Sequence, residues 1–173
     1  MQRTQKETDG KREIYRFLEK IVIDAGIGRL SSQPTFEEKG LPQITRDLAL
    51  LSGQRPQVRR AKKSIAGFKV REGQIIGLRA TLRRGRMIDF FERLIKIVWP
   101  RVRDFRGLDL HAVDSGGVLN TGFKEQFVFP EVKPEESPIS FSLGVSLVPR
   151  NKSREKAVQK FRELGVPLKK QKS

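Results

Sequence analysis

Apolar positions along the chain fall into short periodic runs punctuated by glycine, proline and charge. Lys20-Ile21-Val22-Ile23 is a β-branched run of the kind that forms a buried strand, and Ile14 to Leu18 just before it predicts a short helix. The run stops at Asp24-Ala25-Gly26-Ile27-Gly28, whose glycines allow a bend or a close backbone approach. Ser32 to Pro34 reads as a turn, and Thr35 with Glu38 has the spacing of a capping box ahead of a break at Gly40 and Pro42. Ile44, Leu48 and Leu51 recur at helical spacing, with Gly53 placed as a C-terminal cap. Pro56 to Arg59 predicts a short strand, and Arg60 to Gly73 a long glycine-punctuated loop. Gln74 to Arg83 then sets Ile76, Leu78, Ala80 and Leu82 against Gly77, Arg79, Thr81 and Arg83, a half-exposed strand with one basic face.

Met87, Phe90, Phe91, Leu94, Ile95 and Val98 mark the clearest amphipathic helix, expected to end at Pro100. Asp104 to Gly117 reads as loop, Val118 to Phe129 as extended chain, and Lys133 to Pro138 as a polar connection. Ile139, Phe141, Leu143, Val145 and Leu147 alternate with small polar residues, a clean strand signal. A last helix, Ser153 to Leu164, ends at Gly165 and Pro167. Strands and helices mix without a βαβ rhythm. The expected fold is therefore α+β: a largely antiparallel sheet with helices packed on one face, an RRM-like two-layer arrangement carrying one long basic loop. Length predicts a single domain over residues 1–173, with a flexible segment at 1–13 and a basic tail at 169–173.

Charge adds a partner to this picture. Arg55 to Arg86 holds eleven lysines and arginines against the single acid Glu72, a formal +10 out of +16 for the whole chain. Such a density repels itself, and a polyanion relieves the cost by releasing its condensed counterions. Glycines, hydroxyls and Phe68 interleave with the charges, which suits a shaped RNA surface rather than a disordered tail. Phe68 reads equally as a stacking residue or as a loop anchor. Trp99 and Phe90-Phe91 sit on the helix pattern and belong to the core.

Catalytic chemistry finds little support. There is no cysteine, no phosphate loop and no metal-ligand spacing, so no metal or cofactor is expected. The single histidine, His111, has Asp109 and Asp114 nearby, but these acids suit turn caps better than a catalytic pair. No apolar run approaches the roughly 20 residues of a membrane span. No enzyme, membrane or small-molecule role is called for. A self-standing module or chaperone for structured RNA is one reading that stays open at this point.

Several segments carry a more specific signal. Lys20 to Gly28, Ser52-Gly53-Gln54-Arg55-Pro56, Ala61 to Lys69, Ile76 to Arg83, Pro100 to Gly107 and Gly122 to Glu131 together resemble the L-five family of large-subunit ribosomal proteins, over about Lys20 to Leu168. The resemblance implies a structural protein that binds 5S rRNA, helps attach it to 23S rRNA in the central protuberance, and contacts P-site tRNA through a basic loop. Neighbouring proteins of the protuberance and of the inter-subunit bridges are implied partners. The implied rRNA residues are Gly26, Gly28, Gln54, Arg55, Thr81, Arg83, Arg84 and Arg86; the implied tRNA loop has Lys62, Lys63, Ser64, Phe68, Lys69 and Arg71. The setting implied is a cytoplasmic ribosome, with an organellar one as the alternative. Three departures stand out, one of them an N-terminal helix shorter than that typical of bacterial members. Asp24 occupies a position where the family commonly has asparagine, and a carboxylate beside phosphates needs hydrogen bonds or a cation such as Arg29. Arg84 precedes Gly85 where the usual order is glycine then a basic residue, an inversion expected to re-aim the turn.

Overall fold

The structure, a computed structural model, describes residues 2–28, 30–32, 35–68 and 70–169, and for residues 2–8, 32 and 68 the backbone alone. Arg29, Lys69 and the tail beyond Lys169 lie outside the described residues, as do Gln33 and Pro34 of the expected turn.

The chain starts with a helix, α1 (Gln2–Phe17), where a flexible segment was expected at 1–13. Its residues are mostly strong helix formers (glutamine, lysine, arginine, glutamate), and its C-terminal end is anchored by packing. Ile14 is buried, the Phe17 ring meets Phe161 edge-on at 5.0 Å, and Lys160 binds the Glu13 carboxylate. Strand β1 (Leu18–Gly26) follows directly, with Ile21, Ile23 and Ala25 buried.

A wide π turn at Phe36–Gly40 leads into α2 (Leu41–Ser52). The expected capping box does not form, because the Thr35 side chain makes no cap bond. Pro42 opens a helix rather than breaking one, since a first-turn residue needs no N–H partner. Gly53 caps α2 at φ 68°, its N–H donating to the Ala49 carbonyl at 2.8 Å.

Strands β2 (Gln57–Arg60) and β3 (Ile75–Leu82) pair antiparallel, as expected for the two extended segments around the basic loop. The register runs Gln57 with Arg79 and Arg59 with Gly77, then jumps to Arg60 with Ile75. Ile76 is the extra residue of that bulge. It is therefore 39% exposed while Ile75 is buried, reversing the inward position that alternation gave it.

Helix α3 (Arg84–Arg93) buries the expected stripe of Met87, Phe90 and Phe91 but does not stop before Pro100. It passes through a π turn (Leu94–Val98) into a last turn, Trp99–Arg101. Proline lacks the N–H for a carbonyl four residues back and its ring crowds that carbonyl, and a widened turn in front relieves both conflicts. Trp99 is buried and stacks on Phe105, ring planes 5° apart and centroids 6.4 Å apart.

Only Leu119–Phe123 of the expected extended stretch is a strand, β4, and a 3-10 turn at Gln126–Val128 follows. Strand β5 begins at Leu143 and ends at Pro149, later than the alternation from Ile139 suggested. The buried Gln126 amide takes the backbone that a strand partner would take: its Nε2 donates to Ile139 O at 2.9 Å and its Oε1 accepts from Phe141 N–H at 3.0 Å. Helix α4 (Arg154–Glu163) closes before Gly165, which has φ 87°.

The strands form one five-stranded antiparallel sheet, order β2-β3-β1-β5-β4, in an α+β fold with four helices. Along β3, β1 and β5 buried residues alternate with half-exposed ones, so one face is covered and the other is not. The chain divides into two compact units, one of Met1–Val22, Leu82–Thr121 and Val145–Ser173 and the other of Ile23–Thr81 and Gly122–Gly144. Their boundaries fall inside β1, β3, β4 and β5.

Candidate RNA interface

Within the second unit, the half-exposed side of β1 and β3 presents a closely fitted polar surface. Arg79 and Asp24 face each other across the two strands. Nε donates to Oδ1 at 2.6 Å and Nη2 to Oδ2 at 3.1 Å, a two-point clasp. The Asp24 carboxylate holds the Arg79 guanidinium above its ordinary pKa, chiefly through this hydrogen bond. The arginine that neutralises Asp24 is thus Arg79 on the neighbouring strand.

The strands beside this pair approach very closely. A Cβ on Gly77 would lie 2.9 Å from the Ala25 carbonyl oxygen, so only glycine fits there without a backbone shift. Past the end of β1, the Ile27 N–H donates to Ile76 O at 3.1 Å, which holds the turn containing Gly28 against β3. Gly26 itself is exposed at the strand end.

Gln54 and Thr81 are brought together. The Gln54 Nε2 donates to the Thr81 carbonyl at 3.0 Å, fastening the segment after α2 to β3. The Ser52 hydroxyl lies 2.7 Å from Leu48 O and 2.8 Å from Gln54 O, shares its single proton between the two carbonyls and fixes the start of that segment. Arg55 follows with its side chain exposed. Gln54 is thus a brace first, and what it offers a ligand is a rigidly held amide.

Arg83, Arg84 and Arg86 fall in the first unit and are all exposed. Arg83 Nη1 lies 3.4 Å from Glu19 Oε1, and Lys20 Nζ lies 3.5 Å from the same oxygen. The Glu19 carboxyl is held below its usual range, first by the Arg83 hydrogen bond and then by the charge of Lys20. Arg84 opens α3 at φ 54°, a left-handed conformation that β-carbon residues disfavour. The neighbouring Gly85 does not take a positive φ. The inverted order therefore puts arginine where glycine conformation is required.

The basic loop is an extension of the β2–β3 hairpin. Ala61 N–H donates to Gln74 O at 2.8 Å, Gly73 N–H to Ala61 O at 2.9 Å, and Arg60 Nη1 to Gly73 O at 2.9 Å. Farther out, Ile65 and Val70 exchange both backbone bonds at 2.9 and 3.2 Å, and Ala66–Phe68 form a 3-10 turn at the tip. Ser64 Oγ accepts from the Glu72 N–H at 2.9 Å, so this site residue helps build the hairpin. Lys62, Lys63 and Arg71 point outward and have no ion pair among the described residues. Ile65 is 51% exposed beside them.

Two features escaped the sequence reading. The Asp24–Arg79 clasp depends on strand pairing between positions 55 residues apart. The only signal for it was an acid and an arginine on facing polar sides of two strands. The hairpin order of the loop was hidden by its glycines and charges. The acids around His111 behave as turn caps: Asp109 Oδ1 accepts from the His111 backbone N–H at 3.5 Å and Asp114 Oδ1 from the Val118 N–H at 2.9 Å.

Comparison with known proteins fixes the lineage. Residues 17–71 match the family model described as Ribosomal protein L5, and residues 75–168 match the model of the C-terminus of that ribosomal family. The chain belongs to the ribosomal protein L5 family. It is 42% identical to the large ribosomal subunit protein uL5 of Chlorobium luteolum over 153 residues, covering 88% of this chain and 77% of that protein. The protein of the same name from Syntrophomonas wolfei is 42% identical over 87% of this chain and 83% of its own length, and that of Thermus aquaticus 41% over 88% and 82%. Membership of the L5 family makes the chain an rRNA-binding ribosomal protein of translation and not an enzyme.

Proposed function

We propose that the protein is a structural constituent of the large ribosomal subunit. It binds 5S rRNA, helps attach it to 23S rRNA in the central protuberance, and touches P-site tRNA through the β2–β3 hairpin. The observation that carries this reading is the Asp24–Arg79 clasp on the β1–β3 face. It cancels a carboxylate that would repel phosphates and leaves a rigid surface of glycines, a braced glutamine and a threonine, suited to the shape and 2′-hydroxyls of folded RNA. In this reading Gly26, Gly28, Gln54, Arg55, Thr81 and Arg83 meet 5S rRNA, and Arg84 and Arg86 supply further rRNA contacts. Lys62, Lys63, Ser64, Phe68, Lys69 and Arg71 form the tRNA side. The setting is the cytoplasmic ribosome, beside other proteins of the protuberance and of the inter-subunit bridges.

The test is binding of the purified protein to 5S rRNA against an unrelated structured RNA of equal length, across a salt series. Preference for 5S rRNA that persists as salt rises is expected. If six to ten phosphates are engaged, affinity should also fall by roughly 10³–10⁵ between about 50 and 200 mM salt. Equal binding of both RNAs at every salt would overturn the assignment.

A further inference from the structure

The first unit carries a second basic surface, built from residues outside the sites above. On α1, Lys11, Arg12, Tyr15 and Arg16 are spaced so that they form one continuous outer stripe. Tyr15 is 44% exposed, and Lys11, Arg12, Tyr15 and Arg16 line one open cleft with Ile88. Arg150, just past the end of β5, joins this stripe: its guanidinium lies 5.5 Å from the Tyr15 ring centroid and its Nε donates to the Tyr15 carbonyl at 3.4 Å. The Arg150 N–H also donates to Phe17 O at 2.9 Å, which fixes the junction. On the far side of Arg16 a second open cleft of about 400 Å³ is bordered by Asn151 and Lys156.

Five cations border this surface: Lys11 and Arg12 on one cleft, Lys156 on the other, Arg16 on both, and Arg150 against Tyr15. None has an ion pair to a carboxylate among the described residues. The one carboxylate lining either cleft, Glu13, is already taken by Lys160. Internal electrostatics do not account for this arrangement; an external polyanion does. The tyrosine narrows the choice of polyanion. A half-exposed ring, held by an arginine and flanked by cations, suits phosphates together with an unstacked base, since every base has a face to lay on it. An acidic protein segment would use the charges but not the ring.

We propose that this surface is a second RNA-binding site, taking the backbone of a looped or single-stranded RNA segment on Lys11, Arg12, Arg16, Arg150 and Lys156 and one unpaired base on Tyr15. It shares no residue with the β1–β3 face or the hairpin, and does not depend on the RNAs assigned to them.

Tyr15 is the only tyrosine of the chain, so ring labelling of tyrosine gives a single local reporter in the full-length protein. The labelled protein is titrated with a mixed-sequence single-stranded RNA of about 12 nucleotides, within the usual site sizes. It is then titrated with a duplex of the same length and with polyglutamate. The expected result is a saturable upfield ring shift with the single strand alone. The Arg12→Ala, Arg16→Ala double variant should lower the salt slope of that titration by about 2. Both positions are exposed, so an unchanged far-UV spectrum should confirm that the variant folds. No ring shift at RNA concentrations that saturate total binding would overturn the proposal. So would equal shifts with polyglutamate or duplex, which would mean charge without base recognition.

Discussion

The β1–β3 face and the β2–β3 hairpin share strand β3, yet they handle charge in opposite ways. On the face, Arg79 is clasped by Asp24 and the Gln54 amide is fastened to the Thr81 carbonyl, so most of its polar groups already have a place. On the hairpin, Lys62, Lys63 and Arg71 project without ion pairs among the described residues, and hydrogen bonds go only into the stalk. A surface whose groups are held internally discriminates by shape, because a ligand must match what is fixed. A surface of open cations attracts any polyanion and lets go easily when salt rises. Charge density along the sequence marked the hairpin, while the better candidate for specific recognition is its quieter neighbour.

The sharpest way to break this contrast is to remove Arg79. Arg79→Ala leaves the Asp24 carboxylate uncompensated on the face, and 5S rRNA binding should weaken by roughly 1–3 kcal/mol, about five- to 150-fold. Asp24→Asn is the converse change. It frees Arg79 for phosphate and should strengthen binding and steepen its salt dependence, both read in the same titration. An Asp24→Asn variant that binds less well would mean the clasp is needed for the shape of the face.

Next in size is packing. Gly77→Ala places a Cβ 2.9 Å from a backbone oxygen, and small-to-large changes of this kind typically cost about 1–3 kcal/mol. The melting temperature should fall by roughly 2–4 °C per kcal/mol. An unchanged melt would show that β1 and β3 part easily. Arg84→Gly has the opposite sign. It relieves a left-handed arginine at about 1–2 kcal/mol and should raise the melting temperature by a few degrees.

The smallest effect concerns Glu19. Its pKa is lowered in the folded protein, so its contribution to stability is present above the ordinary carboxylate value and fades as pH falls through the folded one. The group is exposed, so the Arg83 contact should loosen on acidification with little change in melting. Replacing Glu19 with glutamine should remove that slight pH dependence.

Periodicity made much of this fold legible. The inward stripe of α3, the Gly53 cap of α2 and the strands on either side of the basic loop all stand where the residue pattern put them. What it missed has physical causes. Alternation cannot see the bulge that turns Ile76 outward, because a bulge is a property of a strand pair. A proline ends a helix by rule, yet a π turn ahead of Pro100 carries α3 past it. The polar start of the chain lacks an apolar stripe, so only the end of its helix, from Ile14, was legible, and its contacts through Phe17 and Glu13 with α4 were not. The site residues were legible through family resemblance, but their partners were not. Asp24 was expected to need hydrogen bonds or a cation, and strand pairing supplies both in Arg79, a partner that sequence proximity could not name.

The most direct test of the account compares two variants side by side for 5S rRNA binding across a salt series: Arg79→Ala on the face and Lys62→Ala with Lys63→Ala on the hairpin. The account predicts that the face variant loses affinity and loses preference for 5S rRNA over an unrelated RNA. The hairpin variant should keep that preference, with at most a shallower salt slope. The reverse pattern, with preference lost at the hairpin and intact on the face, would contradict it.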